Sequence, residues 1–572
     1  MTKQYTFLFL FFVVSSIGQV VEPVLQWAGN IGSQNSDVSA EIVSDSEGNV
    51  YFTGAFYGTA NFDIGGGVHT MSNTHRSAFM VKYDGDGEIV WSGQYTTNYL
   101  DCYATGLGID NNNNLYATGR FFGTVDFDFG PGVHYMSANT TPPAQMNIYL
   151  TKLNTDGGFL WARQIQGIGT KTIEAFTVDA MGNSYITGCF NNPMTFHDGT
   201  VLTPQNPIWT GESYDIFIAK YDTEGNLLFA KQIGSGPYTQ RPTAIKIDAQ
   251  GNIYTGGIFV NTTDFDPGLS EFIIAPQTPN YIASFLLKLD SNGNFVWVKN
   301  FGSTSHLEFS SLLVDTSNAI YVSGGFMGTT DFNSGSGVNT LTTTLGGEFF
   351  LLKLDANGEF VWVKGMKAIG RGMEIIETEN HTILISGKFV GTCDFSGGNN
   401  TALFSSHSTA NSDVFLAKYD LNGDLNWLKT FGGNDYIKMT SLDYNTSGAV
   451  HLIGSFQGSF DFGTTTDTFS TTSYGITDCF VMKFDQNTLG TEEFEVSNSE
   501  LMIYPNPSIN AIHLAFPDTF EQGKYKIFSI NGQLVMQNEL QKNINISSLS
   551  SGFYFITIFK DDNSITAKFL KE

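Results

Sequence analysis

Two pairs of aspartates have the spacing of an oxygen-rich cation site. Asp126 and Asp128 stand in the run DFDFG, and Asp264 and Asp266 stand in the run DFDPG. Side chains alternate along a strand, so both carboxylates of a pair would point to one side, a geometry able to hold Ca²⁺. An Asx turn leading into a loop explains the same letters, and no repeat supplies a full set of oxygen ligands. We favour turn chemistry and keep calcium as the one cofactor that the sequence suggests.

Acid–base catalysis is the second chemistry to consider. A catalytic pair of carboxylates must lie within about 5–10 Å of each other. The strands predicted below to surround the axis of the fold carry four acids, which we assign to unlike positions of the repeat: Glu41, Glu174, Glu374 and Asp443. The histidines form no repeated column, and the chain has no nucleophile elbow, H-E-x-x-H or phosphate-binding loop. The sequence thus predicts no enzyme, although acids from several repeats could still converge at the axis.

Aromatic and imidazole side chains in the predicted loops are the candidates for ligand binding. They could stack on sugar rings or anchor protein contacts, and the alternative is that each packs its own loop against the fold. Variable loops on a rigid scaffold are where binding usually resides. The candidates are His134, Tyr135, Trp209, Tyr214, Tyr238 and Tyr281.

The candidate residues are placed by a sequence unit that occurs seven times in the chain. The segment GNVYFTGAFYGTANFD at 48–63 recurs with a period of 63 to 69 residues, and three of its columns do not vary. A glycine column indicates a close approach of backbones, and two phenylalanine columns indicate space filled between packed sheets. The glycines are Gly54, Gly119, Gly188, Gly257, Gly324, Gly387 and Gly454.

Each unit is predicted to fold as four antiparallel strands, A to D. Strand A is a short apolar run that ends in an Asp/Asn/Gly-rich turn, and strand B is the GNxYxTGxF segment. Strand C carries an aromatic residue three positions before a lysine, and strand D carries a tryptophan that Phe229 replaces once. The A–B and C–D turns are short, whereas the B–C loops are long and varied. The side of the B–C loops is therefore the expected binding face.

The two ends of the repeat region predict a closed ring. Trp27 belongs to a D strand with no strands A to C before it, and Lys483 closes a C strand with no D strand after it. Pairing the first strand with the last unit completes a seventh blade and removes exposed sheet edges. The predicted fold is all-β: a seven-bladed β-propeller with split-blade closure, followed by a small β-sandwich.

Two of the units, 245–297 and 312–362, resemble the bacterial seven-bladed propeller repeat of the SBBP type. The likeness rests on the Asp-x-x-Gly-Asn turn and the Phe-Leu-x-Lys-Leu-Asp strand, and it covers about residues 24–487. The resemblance implies the propeller fold. It implies little about ligands, because members of that family have varied roles.

The C-terminal segment differs in kind from the repeats. After the run YPNP at 504–507 come alternating apolar runs and turns that predict an antiparallel sandwich. With NGQLV at 531–535, LSSGFY at 549–554 and KFLK at 568–571, this segment resembles the C-terminal sorting domain of the type IX secretion system of Bacteroidetes. The resemblance implies the type IX machinery as a partner, export across the outer membrane, and release or attachment to the cell surface. The alternative is a sandwich module with no sorting role.

The N-terminus predicts a secretory signal peptide. Lys3 precedes the apolar run FLFLFFVV at 7–14, and Ser16 and Gly18 are small residues before a cut at Gln19. The run is too short to span a bilayer permanently, so the mature chain should have no integral membrane segment. The predicted organisation is a signal peptide at 1–18, a propeller at 24–487, a linker at 488–499 and a sorting domain at 500–572.

Bulk composition narrows the classes of partner. The formal net charge of −27 argues against nucleic acid, because a phosphate backbone needs a basic surface. The cysteines match no metal motif and predict packed thiols: Cys102, Cys189, Cys393 and Cys479. Three functions stay open. We favour a secreted or cell-surface binding or adhesion module for glycan or protein over an extracellular polysaccharide lyase or hydrolase with an axial active site, and over a structural surface or matrix component.

Overall fold

The structure, a computed structural model, describes most of the chain. The described residues are 23–97, 100–139, 145–205, 213–234, 240–277, 282–343, 347–369, 374–378, 381–397, 402–408, 410–433, 435–462, 470–485, 501–504, 508–516, 520–529, 533–560 and 563–571. The chain divides into two compact units, residues 1–487 and 488–572. The predicted signal peptide 1–18 and linker 488–499 lie outside the described residues.

The first unit is built from β-strands, numbered here in chain order. Its first half contains β1 (Val24–Ile31), β2 (Val38–Ser44), β3 (Val50–Asn61), β4 (Thr70–Tyr83), β5 (Ile89–Gln94), β6 (Thr96–Thr97), β7 (Cys102–Ile109), β8 (Leu115–Phe121), β9 (Thr124–Asp126), β10 (Tyr135–Ser137), β11 (Asn147–Leu153), β12 (Phe159–Gly167), β13 (Lys171–Val178), β14 (Ser184–Phe190), β15 (Met194–Thr195), β16 (Val201–Leu202), β17 (Asp215–Tyr221) and β18 (Leu227–Ile233). Its second half contains β19 (Gln240–Ile247), β20 (Ile253–Phe259), β21 (Thr263–Asp264), β22 (Ile273–Ile274), β23 (Ala283–Leu289), β24 (Phe295–Ser303), β25 (His306–Val314), β26 (Ile320–Met327), β27 (Thr329–Asp331), β28 (Thr340–Thr342), β29 (Glu348–Leu354), β30 (Phe360–Ile369), β31 (Glu374–Glu377), β32 (Ile383–Asp394), β33 (Leu403–Ser405), β34 (Asp413–Tyr419), β35 (Leu425–Phe431), β36 (Ile437–Tyr444), β37 (Ala449–Phe456), β38 (Ser459–Asp461), β39 (Ser470–Thr472) and β40 (Asp478–Asp485).

In the described part of the chain these strands form seven four-stranded antiparallel blades arranged in a ring. Six blades are continuous in sequence: β2-β3-β4-β5, β7-β8-β11-β12, β13-β14-β17-β18, β19-β20-β23-β24, β25-β26-β29-β30 and β31-β32-β34-β35. The seventh blade joins β36, β37 and β40 to β1. The inner strand of each blade contacts the inner strand of the next, and β36 contacts β2, which closes the ring. The predicted all-β propeller class is confirmed.

The seam of the ring uses the same contacts as the junctions between ordinary blades. β1 pairs with β40 from Val24 opposite Asp485 to Ile31 opposite Cys479. At the seam Trp27 Nε1 and Lys483 Nζ both donate to the Gly85 carbonyl of the first blade, at 3.1 and 2.6 Å. At three other junctions a Trp and a Lys likewise donate to one backbone carbonyl of the next blade. Trp91 and Lys82 donate to that of Thr155, Trp161 and Lys152 to that of Thr223, and Trp362 and Lys353 to that of Leu421. At these four junctions the Trp and Lys columns of the sequence thus supply the groups that tie one blade to the next.

A bulge in the inner strands explains the glycine column. In six blades the inner strand skips one residue in its pairing with the second strand, as between Ser39 and Glu41. A Cβ added at Gly54 would lie 2.3 Å from the Val38 carbonyl oxygen and 2.9 Å from the Phe79 ring. Only glycine leaves room for this approach of two backbones.

Aromatic clusters form the cores of the blades. In the first blade Phe56 and Phe62 meet edge-on at 5.5 Å, and Phe62 packs against Phe79 at 4.9 Å. Phe259 with Phe265 and Phe389 with Phe395 repeat the first contact at 5.3 Å. The four cysteines are buried and free, which confirms the prediction of packed thiols.

The B–C connections contain short hairpins rather than wholly irregular loops. The hairpins are the ends of β3 and β4, then β9–β10, β15–β16, β21–β22, β27–β28, β32–β33 and β38–β39. Six of them also pair with the end of the outer strand of the preceding blade or with the chain just after it, as Gln166 of β12 pairs with Thr195 and Thr96 pairs with Asp126. This face of the propeller is therefore held by hydrogen bonds across the blade junctions.

The second unit is a sandwich of two antiparallel sheets. Its strands are β41 (Met502–Tyr504), β42 (Ala511–Ala515), β43 (Lys524–Ser529), β44 (Leu534–Glu539), β45 (Asn543–Asn545), β46 (Gly552–Lys560) and β47 (Asn563–Lys571). One sheet has the order β41-β42-β45 and the other β44-β43-β46-β47. Ile512, Ile527, Ile544, Ile556 and Phe569 fill the core between them.

Candidate functional site

A cavity of about 440 Å³ lies on the propeller axis and is lined by the inner strands of the seven blades. The structure brings all four axial acids to its wall, together with one lysine: Glu41, Glu174, Glu374, Asp443 and Lys246. The acids that the sequence analysis treated as scattered therefore converge on one cavity.

The strand register corrects the assignment of the acids to unlike positions. Glu41 lies opposite Thr53, and Glu374 lies opposite Ser386, which is the same position of the repeat. Ser441, opposite Ile453, holds that position in the seventh blade. Because the seventh blade lies between the sixth and the first, Glu374, Ser441 and Glu41 follow one another around the ring.

Burial governs the protonation of these two glutamates. The Ser441 hydroxyl donates to Glu41 Oε1, and the Leu442 N–H donates to Glu374 Oε2 at 2.6 Å. Burial raises the pKa of Glu41 to about 7 despite the opposing effects of the Ser441 bond and Lys246. Burial and the nearby Glu41 charge raise the pKa of Glu374 to about 8. At neutral pH the pair therefore retains protons that ordinary glutamates release.

Asp443 and Lys246 form a second layer of the cavity wall. Asp443 lies opposite His451 on the neighbouring strand, and Lys246 lies opposite Tyr254. On their inner strands, Asp443 follows Ser441 by two positions and Lys246 follows Ala244 by two positions. The Ser44 hydroxyl donates to Asp443 Oδ2, and His451 Nδ1 lies 3.3 Å from the same oxygen. The fully buried His451 ring thus contacts the Asp443 carboxylate.

Glu174 is separate from the glutamate pair in its bonding. It occupies the bulge of β13, accepts a bond from Thr172 Oγ1 at 2.8 Å and lies 3.8 Å from Arg241 Nε. Arg241 also reaches Glu308, at 3.5 Å. Glu174 therefore belongs to a partly exposed network of ion pairs.

The loop candidates fall in different environments. The His134 ring packs against Phe159 in a tilted arrangement, with ring centroids 4.7 Å apart. Tyr135, the first residue of β10, exposes 61% of its surface, whereas Tyr214 is half-buried and its carbonyl accepts from Gln240 N at 3.1 Å. Trp209, Tyr238 and Tyr281 lie outside the described residues.

Aliphatic side chains at the hairpin tips were not among the sequence candidates. Val68, Val133, Leu269 and Val338 are strongly exposed on four hairpins. A repeated Gly-Val pair, Gly67-Val68, Gly132-Val133 and Gly337-Val338, was the signal for three of them. They add apolar contact area to the face that carries Tyr135.

The aspartate pairs close the hairpins through backbone bonds. Asp126 Oδ1 accepts from the N–H groups of Asp128 and His134, and Asp264 Oδ1 accepts from those of Asp266 and Phe272. The second aspartates make Asx turns in the same way, Asp128 with Gly130 N and Asp266 with Gly268 N, at 2.7 and 2.8 Å. No group of three or more His, Cys, Asp or Glu side chains that could hold a metal ion occurs among the residues described.

We expect the stability of the propeller to be independent of calcium. The Oδ1 atoms of these aspartates already bind backbone amides, so a bound ion would have to compete with the turns. Thermal unfolding in millimolar CaCl₂ and in EDTA should give the same Tm. A rise in Tm with calcium that disappears in Asp126→Asn would contradict this and establish a cation site.

Comparison with known proteins identifies the second unit. Residues 502–572 match the family model described as "Secretion system C-terminal sorting domain". The second unit is a type IX sorting domain. A sorting domain of this kind makes the protein secreted or displayed on the cell surface. Among the described residues no helix is both long and apolar enough to cross a membrane.

The propeller has more distant likenesses. The chain is 24% identical over 453 residues to an uncharacterized WD repeat-containing protein of Acanthamoeba polyphaga mimivirus, covering 69% of this chain and 32% of that protein. The chain therefore spans about a third of the length of this relative.

Solved structures similar to this chain have low TM-scores. A protein of unknown function from Bacteroides caccae is 11% identical, with a TM-score of 0.29, over 62% of this chain and 89% of its own. The extracellular domain of a one-component system from B. thetaiotaomicron is 10% identical, with a TM-score of 0.16, over 96% and 98%. A Synechocystis apocarotenoid oxygenase is 11% identical, with a TM-score of 0.35, over 80% and 94%. At these scores nothing about function follows.

Proposed function

We propose that this exported protein is a non-enzymatic binding or adhesion module whose target, a glycan or a protein, docks on the face of the B–C hairpins. The observation that supports this most is the row of exposed side chains on the hairpins: Val68, Val133, Tyr135, Leu269 and Val338. The backbone bonds that close the hairpins and tie them to the preceding blades limit their freedom. Such preorganisation lowers the entropy lost on binding, and loops on a rigid scaffold are typical recognition surfaces.

A double variant of one hairpin tests this proposal. Val133→Asp with Tyr135→Ala removes an apolar tip and an exposed ring, and we expect about tenfold weaker binding of the best ligand found on a glycan or protein array. The matched control is Val90→Asp, which changes an exposed valine on the outermost strand β5. Full affinity in the double variant, or an equal loss in the control, would contradict docking on this face.

Three further features of the protein belong to the same proposal. The propeller is of the SBBP repeat type, the leader is cut before Gln19, and Trp209, Tyr238 and Tyr281 are further candidates for contact with the target. The regular spacing of the Asp-x-x-Gly-Asn turns and the apolar run at 7–14 support the first two.

An axial lyase or hydrolase is the second candidate. It is favoured by one observation, the convergence of Glu41 and Glu374 with pKa values raised to about 7 and about 8, close to those useful for general acid–base work at neutral pH. Turnover of a polysaccharide that Glu41→Gln or Glu374→Gln abolishes would establish the enzyme and displace the binding module.

A further inference from the structure

The axial cavity separates groups of opposite charge across the ring. Glu374 and Glu41 come from the blades on either side of the seventh, and Asp443 comes from the seventh itself. Lys246 belongs to the fourth blade, on the other side of the ring. The wall therefore has an acidic side formed by three blades, and Lys246, the one cation among its described lining residues, lies opposite, on the side where Glu174 of the third blade also lies.

Three oxygen atoms on the acidic side have unused hydrogen-bonding capacity. One oxygen of each glutamate accepts a bond, from Ser441 or Leu442, and the described residues offer none to Glu41 Oε2 or Glu374 Oε1. Ser386, which faces Glu374 in the strand register and lines the same cavity, is fully buried, and its Oγ has no hydrogen-bond partner among the residues described. Of the three, Ser386 Oγ is the buried atom without a partner; such an atom costs free energy, which a ligand that bonds to it recovers.

A primary ammonium group matches these three oxygens in its number of donors and in its charge. It carries three N–H donors and a positive charge, so it can bond to two carboxylates and one hydroxyl at once. A metal ion fits less well, since no group of three His, Cys, Asp or Glu side chains in the described chain is arranged to hold one. The remaining wall is rich in hydroxyls, including Thr177, Thr243, Ser311 and Thr440.

We propose that the axial cavity binds a small organic molecule through its primary ammonium group, held by Glu41, Glu374 and Ser386, with the rest of the molecule directed toward Lys246. The cavity volume of about 440 Å³ lies in the usual range for small-molecule sites. Amino sugars and amino acids share the required chemistry, an ammonium group next to hydroxyl or carboxylate groups. This site is independent of the docking face on the hairpins.

Binding is coupled to the release of protons. Burial raises the pKa of both glutamates, and each must be ionised to hold the ammonium group well. The other charged groups at the cavity are Asp443 with His451 behind it, Lys246, and the Glu174–Arg241 pair. Affinity for an amine that stays protonated, such as ε-aminocaproate, therefore rises as the pH increases through the range in which Glu41 and Glu374 lose their protons. Affinity for glucosamine, whose ammonium group loses its proton in the same range, should instead pass through a maximum.

Calorimetry on the full secreted chain tests the site with matched pairs of probes. Glucosamine should bind and N-acetylglucosamine should not, because acetylation removes the charge and two donors. For the amino-acid class the pair is ε-aminocaproate and caproate. We expect Glu41→Gln and Glu374→Gln each to weaken binding about tenfold or more. Both variants keep a side-chain oxygen for the Ser441 or Leu442 bond, and thermal unfolding checks that they fold.

The control is Glu47→Gln, which removes an exposed acid from the turn after β2 and should leave binding unchanged. Equal affinity for both members of each pair, no binding of glucosamine near neutral pH together with none of ε-aminocaproate at alkaline pH, or an equal loss in Glu47→Gln overturns the proposal. Displacement of glucosamine by calcium at stoichiometric concentration also overturns it in favour of a metal site. The hairpin variant Val133→Asp with Tyr135→Ala should bind glucosamine normally, so failure of the docking face and failure of the axial site are distinguishable.

Discussion

A chain that begins after Ile31 is expected to lose its cooperative unfolding transition or to show a Tm lower by about 10 °C or more. Without β1 the seventh blade has no outer strand, and the edge of β40 is open along its pairing from Cys479 to Asp485. The seam also loses the Trp27 bond to the Gly85 carbonyl. An open strand edge is a template for pairing with other chains, so the truncated protein should also self-associate.

Circular dichroism and size-exclusion chromatography measure both effects. The control is a chain that begins at Pro23, which keeps all of β1. A synthetic peptide of residues 23–34, added in trans, should pair with β40 and recover part of the lost Tm, as strand addition does at other open edges. If the two truncated chains had the same Tm and both stayed monomeric, the seam would not hold the ring together.

The fold could be predicted from the sequence because its determinants repeat. The Trp and Lys columns mark the carbonyl contacts between blades, and the invariant glycine marks the approach of the inner strand. In the sequence, the first strand with Trp27 and the last strand with Lys483 each belong to an incomplete unit, which predicts that they pair with each other. The structure confirms this pairing. Because the blades repeat, the column signals recur from one blade to the next along the sequence.

The axial site could not be predicted in the same way, for two physical reasons. Glu41 and Glu374 share one column, each 13 residues before the invariant glycine of its blade, but the other five blades carry Gly, Ala or Ser in that column, so no repeated acid marks it. Ring closure then places the first blade next to the seventh, which makes Glu41 a neighbour of Ser441, 400 residues away in sequence. Adjacency created by closure leaves no periodic signal in the chain.

Replacing Glu41 or Glu374 by Gln is expected to raise the free energy of unfolding at about pH 8 by on the order of 2–3 kcal/mol and to leave it unchanged near pH 4. Burial raises the pKa of Glu41 from 4.5 to about 7, and burial with the Glu41 charge raises that of Glu374 from 4.5 to about 8. The folded state thus binds more protons than the unfolded state between these values, and stability falls as the pH rises through this window. Below it both states are protonated, and the penalty is absent.

Denaturant unfolding of the native chain and of each variant between about pH 4 and pH 9 gives the measurement, and the difference between the curves isolates the glutamates. Asp478, with a pKa raised to about 6 by burial, and Asp37 and Asp215, raised for the same reason, contribute equally to both curves and cancel. Glu47→Gln should give a flat difference. A difference of the opposite sign at high pH, with the variants less stable than the native chain, would mean that the two glutamates are ionised and stabilising in the folded protein. At neutral pH the two glutamates destabilise the folded protein, and a cation that binds in the cavity offsets this destabilisation. The same variants that stabilise the protein should therefore bind an ammonium ligand more weakly.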